Sequence, residues 1–372
     1  MMEKPLRVAL IGTGYMGKCH ALAWNAVAPV FGDVTRPELA LLCEMNDELA
    51  ARRAAEFGFA RSSGDWRDAV AAPDIDVISI TTPNQFHPEM AIAALQAGKH
   101  VWCEKPMAPA FADAEKMTEA ARASGRVAAL GYNYIQNPMI RLIARLIEDD
   151  AVGRVTHLRI EMDEDFMADG GSPFDWKHAS SSGYGALDDF GVHAFSLLNT
   201  LGFAPRSVTA LMTKPYAERL TGDGSAREVE THDVASLMLR FDGAGGVILL
   251  NRSAWGRKGR IFVQIFGTRG TILYDQERMN EVQIYAADGP ADLQGFRNIL
   301  AGPAHPPYDK FIPAPGHGLG FNDLKVIECR ELMRAIAGEP ANLVGFDAGL
   351  GIERIVHAAA RSHEHGGWVE IV

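Results

Sequence analysis

The chain has 372 residues, 47% hydrophobic and 22% charged, with a formal net charge of −11. That length allows two domains with ample core, and the balance is that of a globular protein. The acidic charge argues against nucleic acid or an anionic membrane surface as partner, and no apolar run reaches the roughly 18 residues of a membrane span.

The opening stretch "MMEKPLRVALIG" passes straight into a strand pattern, without the basic-then-apolar layout of a secretory signal. Leu6–Ile11 is short and apolar, as a central parallel strand buried on both faces should be. It runs into "GTGYMGKCHALAW", where Gly12-x-Gly14-x-x-Gly17 follows a strand and opens a helix. The dinucleotide fingerprint requires that context. Gly12 permits the tight turn, Gly14 lets backbone approach a pyrophosphate, and Gly17 lets helix pack on strand; the helix N–H groups face the phosphates. The next strand, Leu39–Glu44, ends in an acid placed to take ribose hydroxyls and repel a 2′-phosphate. No arginine follows Glu44, so NAD is expected over NADP. Glu44 lies further from the glycines than the usual spacing of about 20 residues. Ala28–Glu38 reads as an inserted loop that accounts for the difference.

Asn46 is placed to cap a helix Asp47–Phe57 that stops at Gly58. A buried strand Asp76–Thr81 ends in the loop "TPNQFHPE", and a helix Pro88–Ala97 ends at Gly98. The strand in "HVWCEKP" then puts Glu104, Lys105 and Pro106 at its carboxyl end. A helix Asp113–Ser124 and a strand Val127–Leu130 follow. Such alternation makes an open parallel sheet with helices on both faces, and ligands sit outside its carboxyl ends. Lys105 and Thr82-Pro83-Asn84 lie there, and Pro106 bars Lys105 from helical backbone angles.

After Leu130 the grain changes. A polar, aromatic turn "GYNYIQNP" leads to a helix Met139–Asp149. Strand patterns then cover Val155–Met162, Ser207–Met212, Val234–Phe241, Gly246–Asn251, Arg260–Phe266, Thr271–Tyr274 and Val282–Ala286. Short glycine turns join several of them, so a largely antiparallel sheet with one open face is expected. Gly302–Gly318 is proline-rich and reads as a long loop of the kind that covers sites or interfaces. One helix interrupts the strands, in "GYGALDDFGVHAFSLLNTLG". Asp189 and His193 are four residues apart there, which puts them on one helical face, while Asp188 points elsewhere. The cysteines at 19, 43, 103 and 329 are scattered, which fits reduced thiols and a cytoplasmic location. His363 and His365 in "HEHGG" read as a polar helix end, and no metal is expected.

The ordered set "GTGYMG", "TTPNQFHPEMAIAALQAGKHVWCEKP", "GYNYIQNP", "GYGALDDFGVH" and "IFGTRGTI" resembles the glucose–fructose oxidoreductase and inositol dehydrogenase (Gfo/Idh/MocA) family over essentially the whole chain. The second segment is the most specific. "GYMGKCHALAW" and the loop after it look closest to the family's bacterial cyclic-sugar dehydrogenases. The resemblance implies an α/β protein with a Rossmann domain, residues 1–130. It also implies a substrate-binding and oligomerisation domain, residues 131–372, whose sheet joins a homodimer or homotetramer.

A lysine, an aspartate and a histidine are implied around the nicotinamide, falling on Lys105, Asp189 and His193, with a cis peptide at Lys105–Pro106. The cofactor-facing set it suggests is Gly12, Thr13, Gly14, Tyr15, Met16, Glu44, Thr82, Pro83, Asn84, His87, Glu104, Lys105 and Asn133. Tyr134, Trp176 and His317 are candidate substrate contacts. Many members carry an acid three residues beyond the histidine; here it is Ser196, which loosens the substrate assignment more than the mechanism.

The expected activity is NAD-dependent oxidation of a secondary hydroxyl of a cyclic sugar, anhydrosugar or cyclitol to the ketone. His193, oriented by Asp189, suits a base, because histidine is the side chain that titrates nearest neutrality. Lys105 as ammonium would stabilise the developing alkoxide, and lysine as the base stays open. Two other readings stand beside this one. A cofactor-binding regulator need not keep the catalytic set, all of which is present here. A redox-neutral sugar enzyme would hold NAD that never exchanges.

Overall fold

The structure, a computed structural model, describes residues 4–372, and the chain divides into two compact units. The first unit comprises residues up to Gln136 together with Leu319–Gly351. It opens with β1 (Arg7–Ile11), α1 (Tyr15–Phe31), β2 (Glu38–Cys43), α2 (Asp47–Phe57), β3 (Arg61–Ser63) and α3 (Arg67–Ala71). The chain continues through β4 (Val77–Ile80), α4 (His87–Gln96), β5 (His100–Glu104), α5 (Phe111–Ser124) and β6 (Ala128–Gly131). These strands pair in parallel in the order β6-β5-β4-β1-β2-β3. Strand order runs outward from β1 through β3 and then returns to β4 on the other side. The carboxyl ends of β1 and β4 therefore flank the switch point, where such sheets bind ligands.

Local chemistry sets the helix bounds. The Asn46 side chain accepts from Leu49 N at 2.9 Å and starts α2 where it was expected. The expected loop at Ala28–Glu38 is shorter than its sequence suggested, because α1 continues to Phe31. Pro29 sits in its last turn, where a missing backbone donor costs one bond and does not stop the helix. Much of the extra spacing to Glu44 is therefore helix.

The second unit comprises Asn137–Gly318 and Ile352–Val372. It holds α6 (Pro138–Glu148), β7 (Val155–Glu164), a π-helical turn (Leu187–Gly191), α7 (Val192–Thr200), β8 (Ser207–Thr213), β9 (Glu218–Leu220) and β10 (Ala226–Glu228). Then come β11 (Val234–Phe241), β12 (Ala244–Asn251), β13 (Lys258–Gly267), β14 (Gly270–Asp275), β15 (Glu281–Ala286), β16 (Arg297–Leu300) and α8 (Tyr308–Phe311). The short α8 lies within the stretch expected to be loop throughout. The chain then supplies α9 (Phe321–Ile336), β17 (Val344–Gly345), α10 (Phe346–His365) and β18 (Val369–Glu370). Of these, α9, β17 and the start of α10 belong to the first unit, where β17 adds an antiparallel seventh strand beside β6.

The second sheet has nine strands in the order β16-β15-β14-β13-β7-β12-β11-β8-β18, antiparallel except for β7 with β12. Along β11, Ala235, Leu237, Leu239 and Phe241 are buried while Met238 between them is exposed, the alternation of a sheet covered on one face. Leu211 and Leu249 are exposed as well.

A single cut after residue 130 does not describe this chain. Residues 319–351 return to the first unit, where α9 buries Lys325, Glu328 and Glu331. Three charges at that spacing read as a solvated face; they are buried because they are paired.

Candidate active site

In the first unit the residues expected at the cofactor gather at the ends of β1, β2, β4 and β5. Gly12 has φ +90°, and a Cβ there would sit 3.0 Å from the Thr81 backbone. A Cβ on Gly17 would lie 2.4 Å from the Gly12 carbonyl oxygen, so helix and turn touch. Gly14 differs: a Cβ there meets no protein atom within 4 Å. Protein packing gives no reason for a glycine at 14, whereas a phosphate drawn onto the turn and the N-terminus of α1 does.

Thr13 donates from its backbone N and its hydroxyl to Glu44 Oε1, at 2.7 and 2.6 Å, and Met45 N donates to Oε2 at 2.9 Å. A carboxylate accepts about four hydrogen bonds, so Glu44 held this way keeps capacity for hydroxyl donors. Asn133 is buried, and its amide nitrogen has no hydrogen-bond partner among the described residues, which suits a group bound from outside. Tyr15 and Tyr134 both lie against Phe321, with ring centroids 5.7 and 5.9 Å away. No sequence pattern singles out Phe321. Asn84 is buried in a 3₁₀ turn after β4, and Met16 is in the first turn of α1.

Two of the residues expected at the cofactor also brace the turn that carries Lys105. His87 has Nδ1 2.9 Å from the Pro106 carbonyl and Nε2 3.0 Å from the Thr82 carbonyl, so the ring ties the loop after β4 to the turn after β5. That turn holds the cis Lys105–Pro106 peptide. Glu104 faces inward. Its Oε1 is 2.9 Å from His20 Nε2 and accepts from Lys325 Nζ at 2.6 Å, and Lys325 also donates to Glu328 Oε2 at 2.7 Å. His20 stacks on Trp102 with centroids 3.7 Å apart. Burial alone would push the Glu104 carboxyl up, but Lys325 and His20 hold it below the usual carboxylate range. Burial, only partly offset by Lys325, pushes Glu328 up to about 7, so one cation serves one carboxylate and one carboxyl that still holds a proton near neutrality. Lys105 itself is half-buried at the end of β5.

In the second unit the π-helical turn carries Asp188 and Asp189 and leads into α7 with His193. Asp189 and His193 remain four residues apart across the junction of the π turn and α7. Asp189 takes Lys177 Nζ on Oδ1 at 2.7 Å and on Oδ2 at 2.9 Å, and Arg252 Nη1 on Oδ2 at 2.8 Å. Arg252 is fully buried and also bonds Asp233 Oδ1 from Nη2 at 2.7 Å. Neither cation was foreseen, although Lys177 follows Trp176, itself a candidate substrate contact; Arg252 comes directly after β12. The His193 ring is buried. Trp176 is exposed beside Lys177, His317 is exposed in its loop, and His178 is buried with Nδ1 accepting from Asp175 N at 2.9 Å.

Asp188 accepts from Tyr184 N, and its other oxygen is buried with no partner among the described residues. Burial pushes its carboxyl up to about 7. A raised acid pKa means stability is full below the unfolded value near 4 and is lost as pH rises through about 7. Asp188→Asn keeps an acceptor for Tyr184 N and removes the ionisation. The variant is expected to melt several degrees above wild type at pH 8, with the gap closing by about pH 4. Thermal scans across that range check it; a gap that is flat with pH would contradict the assignment.

The parallel sheet, its glycine turn with room at Gly14 and the acid at the end of β2 define a nicotinamide-dinucleotide-binding oxidoreductase of the Rossmann class. The chain belongs to the Gfo/Idh/MocA family: residues 6–132 match its oxidoreductase domain with an NAD-binding Rossmann fold, and residues 140–273 match its C-terminal domain. It is 36% identical to levoglucosan dehydrogenase of Pseudarthrobacter phenanthrenivorans over 98% of each chain. It is 27% identical to myo-inositol 2-dehydrogenase of Thermotoga maritima, over 76% of this chain and 79% of that one. A solved levoglucosan dehydrogenase in complex with NADH and levoglucosan aligns with a TM-score of 0.95, covering 99% of this chain and 100% of that one at 36% identity. Among the described residues no helix is long and apolar enough to cross a membrane.

Proposed function

We propose that this protein oxidises a secondary hydroxyl of a cyclic sugar, anhydrosugar or cyclitol to the ketone, with NAD as acceptor. The observation that carries the reading is Lys105: a lysine on a braced turn at the carboxyl end of a strand beside the dinucleotide turn. The names of the relatives, levoglucosan and inositol dehydrogenases, support the substrate class. NAD, when bound, takes the hydride. Lys105 as ammonium holds the hydroxyl oxygen and stabilises negative charge developing on it. His193 takes the hydroxyl proton, and Asp189 helps to fix the position of the residues around it. The same reading gives a cytoplasmic homodimer or homotetramer joined through the open sheet face, where Leu211, Met238 and Leu249 are exposed.

Steady-state kinetics on anhydrosugars, aldoses and cyclitols with both cofactors test the proposal. NADH should form in bulk with at least one cyclic sugar, and NAD should be preferred, because a carboxylate at Glu44 repels a 2′-phosphate. Glu44→Ser combined with Met45→Arg should shift preference toward NADP by at least 10-fold. A wild-type preference for NADP would remove the role given to Glu44, and no turnover with any sugar would remove the function.

A further inference from the structure

Lys177 is a polar group of the second unit that the expected mechanism does not use, and its surroundings are built. Its side chain is 28% exposed and lies against Asp189, whose side chain is 15% exposed. Two of the three ammonium N–H donors go to the Asp189 oxygens at 2.7 and 2.9 Å, and no further protein acceptor is found for the third among the described residues. The ammonium lies 5.5 Å from the Phe166 ring centroid and 5.2 Å from that of Trp176, within cation–π range of both. Both rings are 43% exposed, so each presents an apolar face to solvent beside a charged tip.

The backbone at Lys177 is fixed as well. Asp175 Oδ1 accepts from Lys177 N at 2.9 Å, and the Lys177 carbonyl accepts from Thr231 Oγ1 at 3.0 Å. Asp175 and His178 close a capping box around the same turn. A lysine serving only as a counter-ion needs no such turn, since partly exposed ion pairs add little stability.

We propose that Lys177 is a substrate-binding and specificity-determining residue: its third N–H donates to an oxygen of a neutral sugar ring whose C–H face lies against Trp176 and Phe166. This rests on the reading of the protein as a sugar dehydrogenase and goes beyond it by naming the donor and the charge class. The charge class follows from the balance of the cluster. Lys177 and Arg252 face Asp189 and Asp233, two cations against two anions, so this face holds no surplus charge for a carboxylate or phosphate on the substrate. A hydroxyl loses little by entering such a site, whereas an anion would have to displace Asp189 from its partners.

The test is calorimetric titration of the NADH-loaded protein with a 1,6-anhydrohexose, an inositol, a hexuronic acid and a hexose phosphate, beside turnover on the same set. Wild type should bind a neutral ring at least 10-fold more tightly than either anion. Lys177→Met and Trp176→Ala should each weaken that binding at least 10-fold and leave NADH affinity unchanged, and Lys177→Arg should restore most of it. Neutral-ring binding by Lys177→Met equal to wild type, with only a lower melting temperature, would make Lys177 a brace and overturn the proposal. Tighter binding of an anion, or no sugar bound by wild type, would overturn it too. Sugar binding that depends on Lys177 but yields no NADH would sink the dehydrogenase reading and leave this one standing.

Discussion

Lys105→Met is expected to lower turnover on the best cyclic sugar by roughly 100-fold or more, the scale for removing one preorganised electrostatic group. Methionine keeps the length and most of the volume of lysine and loses the charge and the donors. The turn should survive the change, because the His87 ring lies between the Pro106 and Thr82 carbonyls, at 2.9 and 3.0 Å, and Glu104 is anchored by His20 and Lys325, none of which uses the Lys105 side chain. NADH affinity should change far less, since the pyrophosphate is assigned to the glycine turn and the N-terminus of α1. The expected pattern is a fall in kcat with cofactor binding and melting temperature nearly unchanged, read by steady-state kinetics, NADH titration and thermal scans. His193→Ala should also cut turnover. If both residues act on one hydroxyl, the double variant loses less than the product of the single losses. Multiplicative losses would mean that the two serve separate steps. Near-normal turnover in Lys105→Met would reduce Lys105 to a charged strand end.

The parts of this molecule that could be read from sequence are those where a local pattern has a local cause. The strand–glycine–helix start was legible because Gly12 takes a positive φ in the turn and Gly17 packs on the Gly12 carbonyl. The bounds of α2 were legible because a side-chain cap and a glycine sit at its ends. The strands of the second sheet were legible by alternation, since only one face is covered. What stayed hidden depended on partners that no local pattern shows. Glu104 sits beside Lys105 in the sequence, and nothing there shows that its carboxylate binds His20 and Lys325, the latter 221 residues away. Asp189 was placed beside His193 by spacing, and no spacing shows that its carboxylate also takes Lys177 and Arg252. Nothing in a stripe of charges on α9 announces that it will be buried.

Lys325 carries the largest stability effect expected. Its ammonium is fully buried between Glu104 and Glu328, 5.1 Å from the Trp102 ring centroid. Burial would lower its pKa, and the two carboxyl groups more than offset that, so it stays charged. Lys325→Met fills similar volume but leaves Glu104 buried without its cation. Breaking a buried pair in this way costs about 3–5 kcal/mol, which for a unit of this size is a fall in melting temperature of about 10 °C. The pH dependence gives the cause away. In wild type the depressed Glu104 pKa contributes stability that is present above its unfolded value and lost on acidification. Without Lys325, burial dominates and the Glu104 pKa rises, so the sign reverses and stability falls as pH increases. The loss relative to wild type should therefore be larger at pH 8 than at pH 5. Adding Glu104→Gln removes the stranded charge and should recover at least half of the loss. A Lys325→Met protein that melts like wild type, or one whose deficit is the same at both pH values, would show that Glu104 does not depend on Lys325 for its charge.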